Sequence, residues 1–255
     1  MAAFPLMLPG TSRPPKLVVF DLDHTLIACD ATILWTEFLY EKKIVTDPIW
    51  RQYDRDMVKS YAKGVLDIRD FCRKHAGAFR SIPEEKLHAL AQEFAKKKIA
   101  PLIFPDGKKW AKNALQANIP ACVLSASAAF IVKPIAKLFG LTDAMGIELA
   151  FKDGFCTGEI VGIPTFQEGK VERLSERLAE AGIDFEDVLF FTDSRNDLPL
   201  AERAGYTVCV NPDAVLESAA RKNGWKVAEW KLSLRTQMTA QVDAKGVPET
   251  PTVRS

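Results

Sequence analysis

The chain has 255 residues, 47% apolar and 26% charged, with a formal net charge of +1. This is the balance of an ordinary soluble globular protein with length for one large or two small domains. Near-neutrality argues against nucleic acid or an anionic membrane surface as partner, and no apolar run reaches the ~18 residues of a membrane span.

The first nine residues, Met1 to Pro9, are apolar but broken by prolines, and residues 1–15 read as a loose N-terminal arm, with a cleaved signal as the alternative. Leu17 to Phe20 form an apolar run without alternation, the pattern of a strand buried on both faces. Asp21 and Asp23 follow where that strand ends. From 31 to 100 convincing strands are missing. Trp35, Phe38 and Leu39 share one helical face, and further helical patterns cover 48–62, 67–78 and 84–98. Such a block is too long for an ordinary crossover and predicts an inserted helical cap, with hinges near 29–31 and 99–104.

From Pro105 the pattern alternates: helix 106–117, strand 121–124 stopping at Ser125, helix 128–139 ending at Gly140, and hairpin pieces around Lys152-Asp153-Gly154. Helix 168–181, strand 188–191, helix 197–204, strand 207–210, helix 213–223 and a last strand near 226–230 follow. Repeated strand–helix units predict a Rossmann-like three-layer α/β/α core with a parallel sheet, built from 16–30 and 101–232. Residues 233–255 are polar and proline-bearing and read as a disordered tail. Five cysteines, an odd number without a CxxC pair, point to reduced thiols and a cytoplasmic setting.

Four polar groups stand at predicted strand ends or helix starts: Asp21/Asp23, Ser125, Lys170 and Asp193/Asn196/Asp197. Singly, each has a structural reading. Ser125 is a helix N-cap, Lys170 a solvated side chain, and the acids are turn or capping groups. Together they make a chemical set. One carboxylate can attack as a nucleophile while its neighbour moves a proton. Hard oxygens suit Mg2+, and Ser125, the backbone N–H groups after it and Lys170 suit phosphate oxygens. No P-loop or GxGxxG occurs, and no histidine is placed for a triad.

Asp21-Leu-Asp23-His-Thr25, Ser125, Lys170 and Asp193-Ser-Arg-Asn196-Asp197 resemble, in order, the four motifs of the haloacid dehalogenase superfamily. The helical insert, the stretch Phe151 to Ile160 and Glu168-Gly169-Lys170 resemble its subfamily IB, the phosphoserine-phosphatase-like branch. The resemblance implies a Mg2+-dependent phosphomonoester hydrolase of a small phosphorylated metabolite, working through an aspartyl-phosphate. It makes Asp21 the nucleophile and Asp23 the general acid and base. Thr25, Ser125, Ala126, Lys170 and Asn196 would bind phosphate or set its loops, and Asp21, Asp23, Asp193 and Asp197 would form the metal site, with Asp197 in or just behind the shell. An acid at position 23 favours phosphatases over dehalogenases.

This chain departs from the branch in having Thr192 for glycine before Asp193, and Asp30 where serine-phosphate enzymes carry glutamate. The cap arginine that holds the substrate carboxylate has only Arg69 and Arg73 as candidates. With Asp30 they form the expected specificity set. Histidinol-phosphate hydrolysis, phosphotransfer to an alcohol and a non-catalytic phosphate-metabolite binding protein are the alternatives, and the oligomeric state is left open.

Overall fold

A computed structural model describes residues 13–233. Leu17–Phe20 forms β1, buried throughout. Val18 and Phe20 enter one apolar cluster and Leu17 and Val19 another, so both sides of the strand meet protein and neither tolerates a polar residue. Four helices follow: α1 (Ala31–Glu41), α2 (Ile49–Ala62), α3 (Ile68–His75) and α4 (Glu84–Phe94). The chain then runs through α5 (Pro105–Gln116), β2 (Ala121–Ala128), α6 (Ala129–Ala136) and β3 (Asp143–Ile147). An antiparallel hairpin comes next, β4 (Leu149–Lys152) and β5 (Phe155–Ile160). The remainder is α7 (Glu168–Ala181), β6 (Val188–Thr192), α8 (Leu198–Ala201), β7 (Tyr206–Val210), α9 (Ala214–Asn223) and β8 (Lys226–Ala228).

Six strands pair in the order β3-β2-β1-β6-β7-β8, every neighbour parallel. Residues of α5, α6 and the helical insert pack on one face of the sheet, and residues of α7 and α8 on the other. This is the Rossmann-like three-layer arrangement. Winding departs from β1 in both directions, toward β2 and toward β6, and ligand crevices in such sheets open at the carboxyl ends of strands at that point.

The insert packs around Trp35, which is fully buried among Phe38, Phe94 and Phe130 with ring centroids 5.4–5.7 Å away. Phe130 belongs to α6, so insert and sheet share one apolar cluster. The two connections to the insert run side by side. Ala28 N–H donates to Leu102 O at 2.8 Å and Phe104 N–H to Leu26 O at 3.0 Å.

The structure departs from the expected elements at several places. β2 continues through Ser125 to Ala128, past an irregularity in its pairing with β3. Ser125 is therefore a strand residue, and α6 starts without a side-chain cap. β3 was not expected, because Asp143-Ala-Met-Gly146-Ile lacks a β-branched run. Gly146 is needed there, since a Cβ would stand 2.7 Å from Ser127 O. The helices expected over 67–78 and 84–98 end at His75 and Phe94 and continue as a 3-10 turn and a π turn. The tail from 234 onward and most of the N-terminal arm, residues 1–12, lie outside the described residues.

Candidate active site

Asp21 N–H donates to Phe191 O of β6 at 2.9 Å. The residue after β1 is thus held between the two central strands, and its side chain is 8% exposed. Lys170 reaches it from the first turn of α7. Its ammonium lies 2.7 Å from Asp21 Oδ1, 2.7 Å from Asp197 Oδ1 and 2.9 Å from Asp197 Oδ2, with 1% of the side chain exposed. The entry of α7 is tight. A Cβ on Gly169 would stand 1.9 Å from Pro164 O, so glycine there lets the helix start close enough to aim Lys170 inward. Gln167, just before α7, adopts φ +49°, a backbone state costly for a residue with a Cβ.

Asp23 is held from three sides. Ala31 N–H donates to its Oδ1 at 2.6 Å, while Ser127 Oγ at 2.8 Å and Ser125 Oγ at 3.3 Å donate to its Oδ2. Ser125 and Ser127 lie two apart on an extended strand and so face one way. Thr25 Oγ1 donates to Asp193 Oδ1 at 3.3 Å. Thr192 Oγ1 donates to Asp197 Oδ2 at 2.7 Å, so the residue that stands where glycine was expected supports the lysine's second partner.

Burial raises the Asp21 carboxyl, Lys170 draws it back down, and Asp197 and Asp23 push it up. Burial and then Asp30 lift Asp23 to about 6, against the Ala31 N–H and Ser127. Asp193 is pushed well above the carboxylate range by burial, then by Asp21 and Asp197, with Lys170 opposing. Burial alone would lower the Lys170 ammonium, but Asp197 and Asp21 outweigh it and the net shift is upward.

Three crowded carboxylates beside one lysine leave negative charge that a cation would neutralise. Among the described residues no three Asp, Glu, His or Cys side chains form a ready-made cage. Mg2+ does not need one, because it is commonly bound through one or two carboxylates plus substrate oxygens and water. The Asp21 and Asp193 carboxylates would suit that donor set, joined by the Asp23 backbone carbonyl that the family resemblance implies. Both hydrogen bonds that Asp197 accepts, from Lys170 and Thr192, fall on Oδ2; its Oδ1, 2.7 Å from the Lys170 ammonium, accepts none, so Asp197 would stand in or just behind the metal shell.

The other expected site residues fall into two groups. Ala126 lines a small cavity beside Thr32 and His75, and Asp30 caps α1, accepting from Ile33 N–H at 3.0 Å. Asn196 sits differently from expectation. Its amide donates to Tyr61 O at 3.0 Å and to Ser194 Oγ at 3.3 Å and accepts from Gln167 Nε2 at 3.2 Å, so it ties the insert to the core and does not point free at a phosphate. Arg69 and Arg73 are exposed on α3. Their charges act on Asp67, and Arg73 Nε reaches only Arg69 O, at 3.4 Å. No hydrogen bond or ion pair links them to the carboxylate cluster.

Three further residues belong to the site. Ser127 was within reach of the sequence, being the same-face partner of Ser125. Tyr61 and Gln167 had no sequence signal, because the docked insert brings them in. Burial, with Asp197, Asp21 and Asp193 nearby, raises the Tyr61 hydroxyl far above its usual range. Gln167 Nε2 donates to Gly64 O at 3.2 Å.

The profile of the haloacid dehalogenase-like hydrolases matches residues 18–202. A histidinol-phosphatase of Neisseria meningitidis is 35% identical over 220 residues, 85% of this chain and 99% of the relative. A phosphoserine phosphatase of Mycobacterium tuberculosis is 27% identical over 239 residues, 90% of this chain and 77% of the relative. A crystal structure of a protein of unknown function from Bordetella pertussis superposes with a TM-score of 0.75 at 31% identity, covering 83% of this chain and 96% of that one. The chain belongs to the haloacid dehalogenase-like hydrolase family and is one of its phosphatases.

Proposed function

We propose that the protein hydrolyses the phosphomonoester of a small amino-bearing metabolite through an aspartyl-phosphate on Asp21. The observation that carries this reading is the Lys170 ammonium 2.7 Å from Asp21 Oδ1, beside an Asp23 that is hydrogen-bonded separately. Two carboxylates of similar origin thereby have different environments and different tasks.

An Asp21 oxygen attacks phosphorus, and the bond from phosphorus to the substrate's alcohol oxygen breaks. Asp23 donates its proton to that departing oxygen. Water then attacks the phosphorus of the aspartyl-phosphate, Asp23 takes the water's proton, and the Asp21–phosphorus bond breaks to release phosphate. A carboxyl lifted to about 6 is suited to both transfers near neutral pH. Lys170 steadies the negative charge of the attacking and phosphorylated carboxylate, and Ser125 with the N–H groups after it offers donors to phosphate oxygens. Asp21, Asp193 and the Asp23 backbone carbonyl would hold Mg2+, which would supply charge neutralisation for the phosphate.

The names of the two curated relatives, a histidinol-phosphatase and a phosphoserine phosphatase, support an amine on the alcohol, and Asp30 is a candidate partner for it. Turnover of p-nitrophenyl phosphate with Mg2+ tests the chemistry. Asp21→Asn should abolish it with the fold intact by circular dichroism, and wild-type turnover in that variant would refute the nucleophile. Product analysis with a competing alcohol should yield free phosphate and no transferred ester.

A further inference from the structure

The helical insert holds a buried polar group that the chemistry above leaves unused. Asp54 on α2 is 4% exposed and His75 at the end of α3 is 6% exposed. His75 Nε2 lies 3.0 Å from Thr36 Oγ1 of α1 and 3.7 Å from Asp54 Oδ1. The Thr36 hydroxyl also donates to Thr32 O at 3.3 Å, and Asp54 Oδ1 has no hydrogen-bond partner. A buried carboxylate oxygen is costly to leave in that state. The charges acting on Asp54 are mostly of its own sign, Asp30 and Glu37, with only the exposed Arg55 opposing. Among the described residues Lys170 is the one buried Lys or Arg, and Asp21 and Asp197 already engage it.

The His75 ring helps to line a cavity of about 20 Å³, together with Thr32, Phe71, Phe79, Ala126 and Phe130. One side of this space adjoins the reacting groups. Ala126 follows Ser125, and Thr32 Oγ1 lies 3.1 Å from Ser127 Oγ, the donor to Asp23. The other side is aromatic, with Phe71 stacked on His75 at 5.1 Å and Phe79 meeting it edge-on at 5.5 Å. Aromatic faces with a carboxylate behind them attract a positive charge and offer nothing to a second carboxylate.

We propose that Asp54, acting through His75, makes this cavity the receptacle for the substrate's alcohol and selects a phosphomonoester that carries a cationic nitrogen and no carboxylate. The inference rests on the phosphatase reading and narrows its substrate class to amino-alcohol phosphates. His75 is the contact group. With Nε2 turned to Thr36 and Asp54, its Nδ1 is the ring's acceptor for a substrate N–H, and Asp54 is the positioning residue. A free space of about 20 Å³ holds roughly one water, so the alcohol enters when the insert swings on its paired connections.

Three phosphates of similar size test this. 2-Aminopropyl phosphate has the amine, isobutyl phosphate has a methyl in its place, and phosphoserine has amine and carboxylate. For the wild-type enzyme kcat/KM should favour 2-aminopropyl phosphate over each of the others by about tenfold or more. Asp54→Asn should bring the amine-over-methyl ratio close to one, chiefly through the KM of the amine. Should that variant fail to fold, Thr36→Val removes the hydroxyl that orients His75 Nε2 and should lower the same ratio. A wild-type preference for phosphoserine, equal rates on all three, or a variant that slows all three alike would overturn the assignment. Absence of wild-type turnover even on p-nitrophenyl phosphate would instead refute the phosphatase reading on which it rests.

Discussion

Replacing Lys170 by methionine keeps the volume of the buried side chain and removes its charge. The ammonium contacts Asp21 Oδ1 and both oxygens of Asp197 within 2.9 Å, with 1% of its side chain exposed. Removing one partner of such a group leaves buried carboxylates uncompensated, which costs about 3–5 kcal/mol. For a domain of this size that is a fall in Tm of about 10 °C. The loss should depend on pH. Lys170 holds the Asp21 carboxyl down, so in Lys170→Met that carboxyl binds its proton more tightly in the folded state. A folded-state pKa raised above the unfolded one contributes stability at low pH that is lost as pH rises. The wild-type carboxyl stands at about 7 and the variant's would stand higher, so the gap should be smaller near about pH 5.5, where both hold the proton, than near about pH 8, where the wild type has largely lost it. Urea unfolding followed by circular dichroism, with a chelator present, measures it at both pH values. A gap below about 1 kcal/mol near pH 8, or one that does not widen with pH, would refute the view that this lysine compensates the cluster.

Asp54 and His75 should leave opposite marks on stability. Burial lifts Asp54 to about 7 from 3.8, so its contribution is present below about pH 4 and is lost as pH rises through about 7, a swing of up to about 4 kcal/mol that Asp54→Asn should remove from a urea-midpoint profile. Burial lowers His75 to about 4 from 6.5, so its contribution is present above about pH 6.5 and is lost as pH falls through about 4; this acid-side loss should survive in Asp54→Asn. Gly169→Ala puts a Cβ 1.9 Å from Pro164 O and should cost about 2 kcal/mol or more while lowering kcat through a displaced Lys170; wild-type kcat with unchanged stability would show that the entry of α7 tolerates the shift.

The reacting groups were legible in the sequence because strand ends are legible. Leu17 to Phe20 announces a strand buried on both faces, and the acids after it fall at its carboxyl end by chain geometry alone. Val188 to Phe191 places Asp193 and Asp197 in the same way. What local pattern could not supply was contact between distant segments. Ser125 was read as the end of a strand because Ser-Ala-Ser-Ala carries little strand preference, yet pairing with β3 extends β2 through it. β3 itself was missed because close approach to Ser127 O demanded glycine at 146, which weakens the strand signal. The amide of Asn196 has its partners on α2 and on the loop before α7, and no spacing in the chain discloses that. The resemblance leaves Arg69 and Arg73 as candidates for the substrate carboxylate, but α3 turns its buried face, Cys72 and His75, inward and leaves both arginines in solvent.

Asp23 connects the chemistry of the core to the position of the insert. Its lifted carboxyl depends first on burial and then on Asp30, against the Ala31 N–H at 2.6 Å. Asp30 and Ala31 are the cap and first residue of α1, the start of the insert. Swinging α1 away would solvate Asp23 and move Asp30 off, which lowers the carboxyl toward the ordinary range where it releases its proton at neutral pH. On the reading of Asp23 as general acid, holding the carboxyl near about 6 while the insert is closed would raise the fraction that carries a proton for the leaving alcohol. On the proposal above, the same closure would set His75 over the alcohol and Tyr61 beside the nucleophile. On these proposals proton donation, exclusion of bulk water and inspection of the leaving group would depend on one movement. A chain can therefore change its substrate by altering residues of the insert without disturbing Asp21, Lys170 or Asp197, provided the contacts of Asp30 and Ala31 are kept.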